Sequence, residues 1–398
     1  MTTWIHSQDS LSVPLFNKQG LHSAMWVLWL ILLGLGTVGV YLRVTEGHLP
    51  AGYGSYVPWG LWVALYFHGV GIAGGAFIIG AGGFILDLPG FRSRRVLQTV
   101  IILSIAAIIP AFMGVWFDLG HMERSHRIFT SPAFTSMMAF NAWMYNIFMI
   151  CAVAAYLLSF RKESDWLKPM LCLALVFSIL FPSQSGAFFG VIDAKAYWHS
   201  ALLPMVFLTS AITAGAAMLL LVRIATQTDD PDADYDAAIR KLRTITLVGL
   251  CVYFVFEFAE FSIAMWNPVS HAPAIDLVLW GPYWWVFWIV HFAIGGVCAL
   301  LLLSTNRPRL WAWAALIVAI TFVSARLNVL VPGQAVGEIK GLQEAFYHDR
   351  LTYIYHATAM EYLVGMFLVA VGMAVFFIGQ KISQKLETLE ITPQRGDT

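Results

Sequence analysis

Ten blocks of mainly apolar residues follow one another along the chain. They lie near 22–43, 58–85, 96–117, 134–159, 167–187, 198–222, 242–266, 282–304, 310–331 and 355–380. Each is about the 20 residues that a bilayer span requires. Proline punctuates them: Pro58, Pro132, Pro282 and Pro308 stand at or just before block starts, while Pro89, Pro268 and Pro332 follow block ends. Proline belongs in the first helical turn or beyond the last one. The pattern predicts an all-α integral membrane protein of about ten transmembrane helices, 22–380, between an N-terminal segment 1–21 and a tail 381–398.

The basic residues fix the expected orientation. Sixteen of the 23 Lys and Arg fall on one side: in the N-terminal segment, the connections 86–95, 160–168, 223–243 and 305–309, and the tail. The seven others, including Arg124, Lys195 and Arg350, lie on the opposite side. Lys and Arg accumulate on the cytoplasmic side of membrane proteins, so both termini are expected in the cytoplasm. The acidic stretch Asp229–Asp236 reads as a solvated cytoplasmic loop. No cleavable leader is expected, because the first apolar block is of spanning length.

Composition agrees. Hydrophobic residues make up 59% of the chain and charged residues 12%, against roughly 25% charged in soluble domains. Net charge is zero, which leaves no nucleic-acid footprint. Cys151, Cys172, Cys251 and Cys298 all sit in apolar blocks, and no two have a C-x-x-C spacing. That excludes an iron–sulfur, zinc or dithiol pattern. Trp59, Trp62, Trp284, Trp285 and Trp288 read mostly as interfacial belt residues.

A faint repeat runs through the blocks. Tyr66–Phe77 in helix 2 (58–85) and Phe207–Met218 in helix 6 (198–222) each place a large apolar pair before a run of small residues. Helices 3 (96–117) and 7 (242–266) each carry an acid toward the outer end, Asp118 and Glu257. The expected architecture is two parallel four-helix bundles, helices 2–5 and 6–9, flanked by helices 1 and 10. Small residues also permit close helix packing in lipid.

The titratable residues are unevenly distributed. At about 1.5 Å per residue, His68, Asp118, Glu257, Glu260, His291, Arg326 and Glu361, together with Asn141 and Gln184, fall in the outer halves of their helices. Ionisable groups inside a membrane are costly and mark functional sites. Proton handling near the outer surface would justify that cost. Gly69, Gly71, Gly74 and Gly75 remove side-chain bulk beside His68, which suggests a cavity there. Glu257 and Glu260 share a helix face, and one of them could pair with Arg326. His199 and His356 read as interfacial.

Four segments carry a family resemblance. Pro58-Trp59-Gly60-Leu61-Trp62 with the glycine-rich run resembles the first core helix of the NrfD/PsrC family, the polysulfide-reductase-type membrane subunits. Phe117-Asp118-Leu119-Gly120-His121-Met122-Glu123-Arg124 is similar to its D-L-G-R-P-x-R segment, with His121 and Met122 in place of Arg and Pro. Trp198-His199-Ser200 with Leu203-Pro204-Met205-Val206-Phe207, and Ala325-Arg326-Leu327 before Pro332-Gly333, resemble two later motifs. Ten helices resemble the longer branch, which includes membrane subunits of a periplasmic hydrogenase, of alternative complex III and of the Dsr complex.

The resemblance implies a subunit of the bacterial or archaeal inner membrane that exchanges electrons with quinone. It also implies no haem or iron–sulfur cluster of its own, and a ferredoxin-like iron–sulfur subunit docked on the periplasmic face. The expected catalytic pair is His68 and Asp118. Tyr66, Gly71, Asn141 and Tyr145 complete the quinone site, and Glu257, Glu260, His291 and Arg326 serve as proton-path or tuning groups. Two other readings stand beside this one. His68 and His291, at matched depth, could be axial ligands of a di-haem b cytochrome, and a polytopic bundle could be a secondary transporter.

Overall fold

A computed structural model describes residues 18–161, 163–226, 234–266, 272–339, 341–346, 348 and 351–391. The segment before Lys18, most of the acidic stretch Asp229–Asp236, Lys162, Lys340, Arg350 and the tail beyond Ile391 lie outside the described residues. Among the described residues, ten helices are long and apolar enough to cross a membrane. They are α1 (Gln19–Thr45), α2 (Leu61–Ile85), α3 (Arg94–Asp118), α4 (Met137–Leu158), α5 (Leu167–Gly190), α6 (Leu203–Ala225), α7 (Tyr235–Trp266), α8 (Val286–Ser304), α9 (Pro308–Ala335) and α10 (Ala359–Thr388). No strand occurs among the described residues. The chain is therefore a multi-pass membrane protein.

The helices form the two expected bundles. α2 lies along α3 and α5, and α4 along α5; α6 packs on α7 and α9, and α8 on α9. The bundles join where α2 meets α6 and α9 and where α5 meets α6. α1 and α10 pair with each other, and α10 leans on α3. The repeated small-residue runs meet face to face. Gly75 lies against Ala211 and Gly215 against Ala76, with no room for a Cβ at either glycine. That contact sets α2 at the centre of the molecule.

Three departures from the sequence pattern shape the site. First, α9 does not stop before Pro332 but runs through it to Ala335. A mid-helix proline frees the carbonyl four residues earlier. Here the Tyr197 hydroxyl donates to that carbonyl, Asn328 O, at 3.0 Å, and Trp198 Nε1 donates to the next one, Val329 O, at 2.8 Å. Second, α9 breaks at Phe322, between Thr321 and Val323. Third, α8 opens with a π-helical stretch, Val286–Cys298. Wide turns of this kind leave backbone groups and side chains displaced from the regular α pattern and often accompany functional sites.

Candidate functional site

The break in α9 is the centre of the polar constellation. From α2, His68 Nε2 donates to Ala319 O at 2.7 Å, just before the break. From the π-helical part of α8, His291 Nδ1 meets Ser324 Oγ at 3.1 Å, just after it. Ser324 Oγ donates to Thr321 O across the break, so His291 Nδ1 must be the donor of its own bond. His291 Nε2 lies 3.0 Å from Glu257 Oε1. Tyr253 OH donates to the same carboxylate at 2.8 Å. His291 and Glu257 thus form one hydrogen-bonded pair between α8 and α7. His291 is fully buried, and Glu257 nearly so.

Arg326 follows the break by one turn and is buried at the seam of the bundles. Its guanidinium stacks over the Phe207 ring at 4.1 Å and donates to Phe207 O at 3.4 Å. Its Nη2 faces Gly71, where an added Cβ would lie 3.2 Å away. Arg326 forms no ion pair with Glu257 or Glu260, and its Nε is buried with no hydrogen-bond partner. An orphaned buried donor needs a ligand, a water or an ion to account for it.

A second chain of hydroxyls crosses the first bundle. Tyr66 OH donates to Tyr145 OH at 3.0 Å, and Tyr145 OH meets Ser185 Oγ at 3.0 Å. Asn141 lies one turn from Tyr145 on α4, and its Oδ1 is a buried acceptor without a partner. The glycines beside His68 do not leave an empty space. Gly69 receives Ala111, Gly74 receives Ser178 and Phe181, and Gly75 receives Ala211. Of these four, only Gly71 faces a polar side chain, Arg326.

Asp118 lies elsewhere, at the end of α3, and no hydrogen bond joins it to His68. It faces a group on α1, α10 and the loops between. Arg43 donates to Phe117 O at 2.7 Å and to Leu119 O at 2.8 Å. Arg43 also donates to His48 Nε2 at 2.7 Å, so the His48 proton sits on Nδ1, against Tyr53 OH. Glu361 is fully buried; it accepts from Tyr355 OH at 2.5 Å and from Gly52 N at 2.9 Å. Asp118 Oδ1 has no partner. Burial and Arg43 hold the His48 pKa below its usual value.

Glu260 shares the Glu257 face but reaches a different partner, Ser200 Oγ, at 2.7 Å. Trp62 is buried rather than interfacial, and its Nε1 donates to Glu361 O at 3.0 Å. His199 and His356 are exposed. Gln184 Nε2 reaches Met137 Sδ, at 3.1 Å. The sequence pattern gives no sign of Tyr253, Ser324, Ser185, Tyr355 or His48. Their hydroxyl and imidazole groups acquire meaning only from cross-helix neighbours.

Among the described residues, all seven buried Arg, His and Glu lie in the half of the bundle away from the Lys/Arg-rich connections. They are Arg43, His68, Glu257, Glu260, His291, Arg326 and Glu361. The family model "Polysulphide reductase, NrfD" matches residues 51–338, a segment that holds every group around the α9 break. The chain belongs to the NrfD family. Among NrfD-type relatives, a selenate reductase subunit of Mesobacillus selenatarsenatis is 23% identical, over 86% of this chain and 90% of its own. The Hdr-like menaquinol oxidoreductase integral membrane subunit of Archaeoglobus fulgidus is 25% identical, over 90% and 92%. The protein NrfD of Escherichia coli is 21% identical, over 61% and 83%.

Proposed function

We propose that this chain is the quinone-reactive membrane subunit of a redox complex in the cytoplasmic membrane. It exchanges electrons between the quinone pool and an iron–sulfur partner on the face opposite the Lys/Arg-rich loops. The observation that carries this reading is the one-sided burial of ionisable groups around the α9 break, with Arg326 Nε and Asn141 Oδ1 left unpartnered. Two of the relatives carry the names of a selenate reductase subunit and a menaquinol oxidoreductase membrane subunit, and the family assignment rests on the same segment.

Quinol oxidation releases two protons and two electrons, so the site needs a base at a quinol oxygen and a path to water. His68 spends Nε2–H on Ala319 O, which leaves Nδ1 as the acceptor for a quinol proton. Arg326 Nε–H supplies a donor for a quinone oxygen, and Asn141 Oδ1 an acceptor for a quinol hydroxyl. Tyr66, Tyr145 and Gly71 line the same seam. Asp118, with Arg43 and Tyr53, lies at the outer end of α3 and passes protons outward. Glu257, His291 and Glu260 tune the charge beyond the break. His291 keeps neither ring nitrogen free for iron, which disfavours a haem pair.

The partner's face is formed by connections that expose Leu49, Phe134, Ile339 and Phe346. Large apolar residues exposed outside the spans fit a docked protein. The test is quinol oxidation by the purified complex carrying His68→Ala, with partner retention as the folding control. Loss of turnover by about 10²-fold or more is expected of a removed general base; unchanged turnover in an assembled complex would sink the assignment.

A further inference from the structure

Two cavities lie on the lipid-facing side of α7 and share Thr244 and Ile245 as lining residues. One, of about 470 Å³, opens between the Lys/Arg-rich ends of α2 and α7, with Gly82 and Gly83 among its lining residues and Arg240 and Lys241 at its mouth. The other, of about 360 Å³, continues along α6 and α7 to Val252, past Gly249. Together they make one groove. From Arg240 to Val252 it runs about 18 Å at the helical rise, roughly the acyl depth of one leaflet, half of a hydrocarbon core of about 30 Å. Its walls are apolar apart from the hydroxyls of Thr209 and Thr244. Thr244 spends its hydroxyl on Arg240 O at 2.9 Å.

The charge sits at one end only. Lys241 Nζ is fixed at the mouth by a 2.7 Å bond to Pro89 O. Arg240 is exposed and makes no ion pair among the described residues. Among the described acids that flank the lining residues in sequence, Asp87 and Asp236 are both engaged; Asp87 is bridged by Arg92 at 3.3 Å. We propose that this groove binds an anionic phospholipid, with the phosphate between Arg240 and Lys241 and one acyl chain laid along α7 past Thr244 to Val252. Basic residues at the membrane edge beside an interhelical cleft recognise anionic head groups.

The test is native mass spectrometry of the detergent-purified complex, titrated in parallel with phosphatidylglycerol and phosphatidylcholine. Phosphatidylglycerol should bind more tightly. Arg240→Gln or Lys241→Gln should each cost roughly fivefold, and both together roughly thirtyfold, at about 1 kcal/mol per cation. Thr244→Phe, at an exposed position where the two cavities meet, should weaken both lipids alike. Melting temperatures of the variants close to that of the parent exclude misfolding as the cause. Equal binding of the two lipids by the parent, or an unchanged preference in the double variant, would overturn the proposal. So would displacement of phosphatidylglycerol by a long-chain quinone but not by phosphatidylcholine, which would assign the groove to an isoprenoid tail.

Discussion

His68 and His291 hold the two sides of one break in α9. His68 bonds Ala319 O at 2.7 Å before it, and His291 bonds Ser324 Oγ at 3.1 Å after it. The two imidazoles come from different bundles, so the break is shared between them. Broken helices are tolerated at membrane depth only where their freed groups find such partners.

The Glu257–His291 pair should be costly to break one-sidedly. Removing one partner of a buried ion pair leaves an uncompensated group and costs about 3–5 kcal/mol. Glu257→Leu is expected to destabilise the protein by that order in thermal unfolding in detergent. The double variant with His291→Leu should recover part of the loss. A double variant as unstable as the sum of both singles would mean that the 3.0 Å contact carries no coupling.

Tyr145 should matter more than Tyr66 for stability. Tyr145→Phe removes the middle of the hydroxyl chain and strands Tyr66 OH, at about 1–3 kcal/mol for a buried unsatisfied group, while Ser185 Oγ loses one bond and keeps the other, to Phe181 O at 2.8 Å. Tyr66→Phe removes only an end donor and should cost about 1 kcal/mol. Equal melting temperatures for the two variants would contradict the chain Tyr66–Tyr145–Ser185.

His48 gives a pH dependence of known sign. It lies outside the spans, and burial followed by Arg43 lowers its pKa. The unfolded chain, with an ordinary imidazole near 6.5, therefore binds more protons than the folded one as pH falls through that value. Stability is then lost on acidification. The parent should lose more Tm between pH 7.5 and pH 5.5 than His48→Gln does. The same loss in both would remove His48 as the cause.

Orientation follows from the basic connections. In a variant whose native cysteines are replaced, single cysteines introduced at 86–95 should resist an impermeant thiol reagent on whole cells. Those introduced at 46–60 or 119–136 should react. Reaction at 86–95 from outside would invert the assignment and move the ionisable half to the cytoplasmic leaflet.

The ten spans were legible because apolar length and proline position report directly on helices. The depth of the ionisable groups was legible for the same reason, since rise per residue is fixed. Rotation about each helix axis was not. His68 and Asp118 lie on adjacent helices, yet His68 turns to α9 and Asp118 to Arg43 and Glu361. The glycines of α2 signalled close approach, but not whether a ligand or α6 would approach. Pro332 does not end α9 as its position predicts, because Tyr197 and Trp198, more than 130 residues earlier, cap the carbonyls just before it. Ser324 gave no signal at all: a hydroxyl in a transmembrane helix is ordinary until a histidine stands 3.1 Å away.

The most direct measurement is photolabelling of the purified complex with an azidoquinone, followed by mapping of the labelled peptides. Label is expected on α2 and α9 near His68 and Arg326, or on α4 near Asn141, and should be lost when excess native quinone is present. Competed label confined to the Lys/Arg-rich half, such as α7 between Arg240 and Val252, would contradict a quinone site at the α9 break.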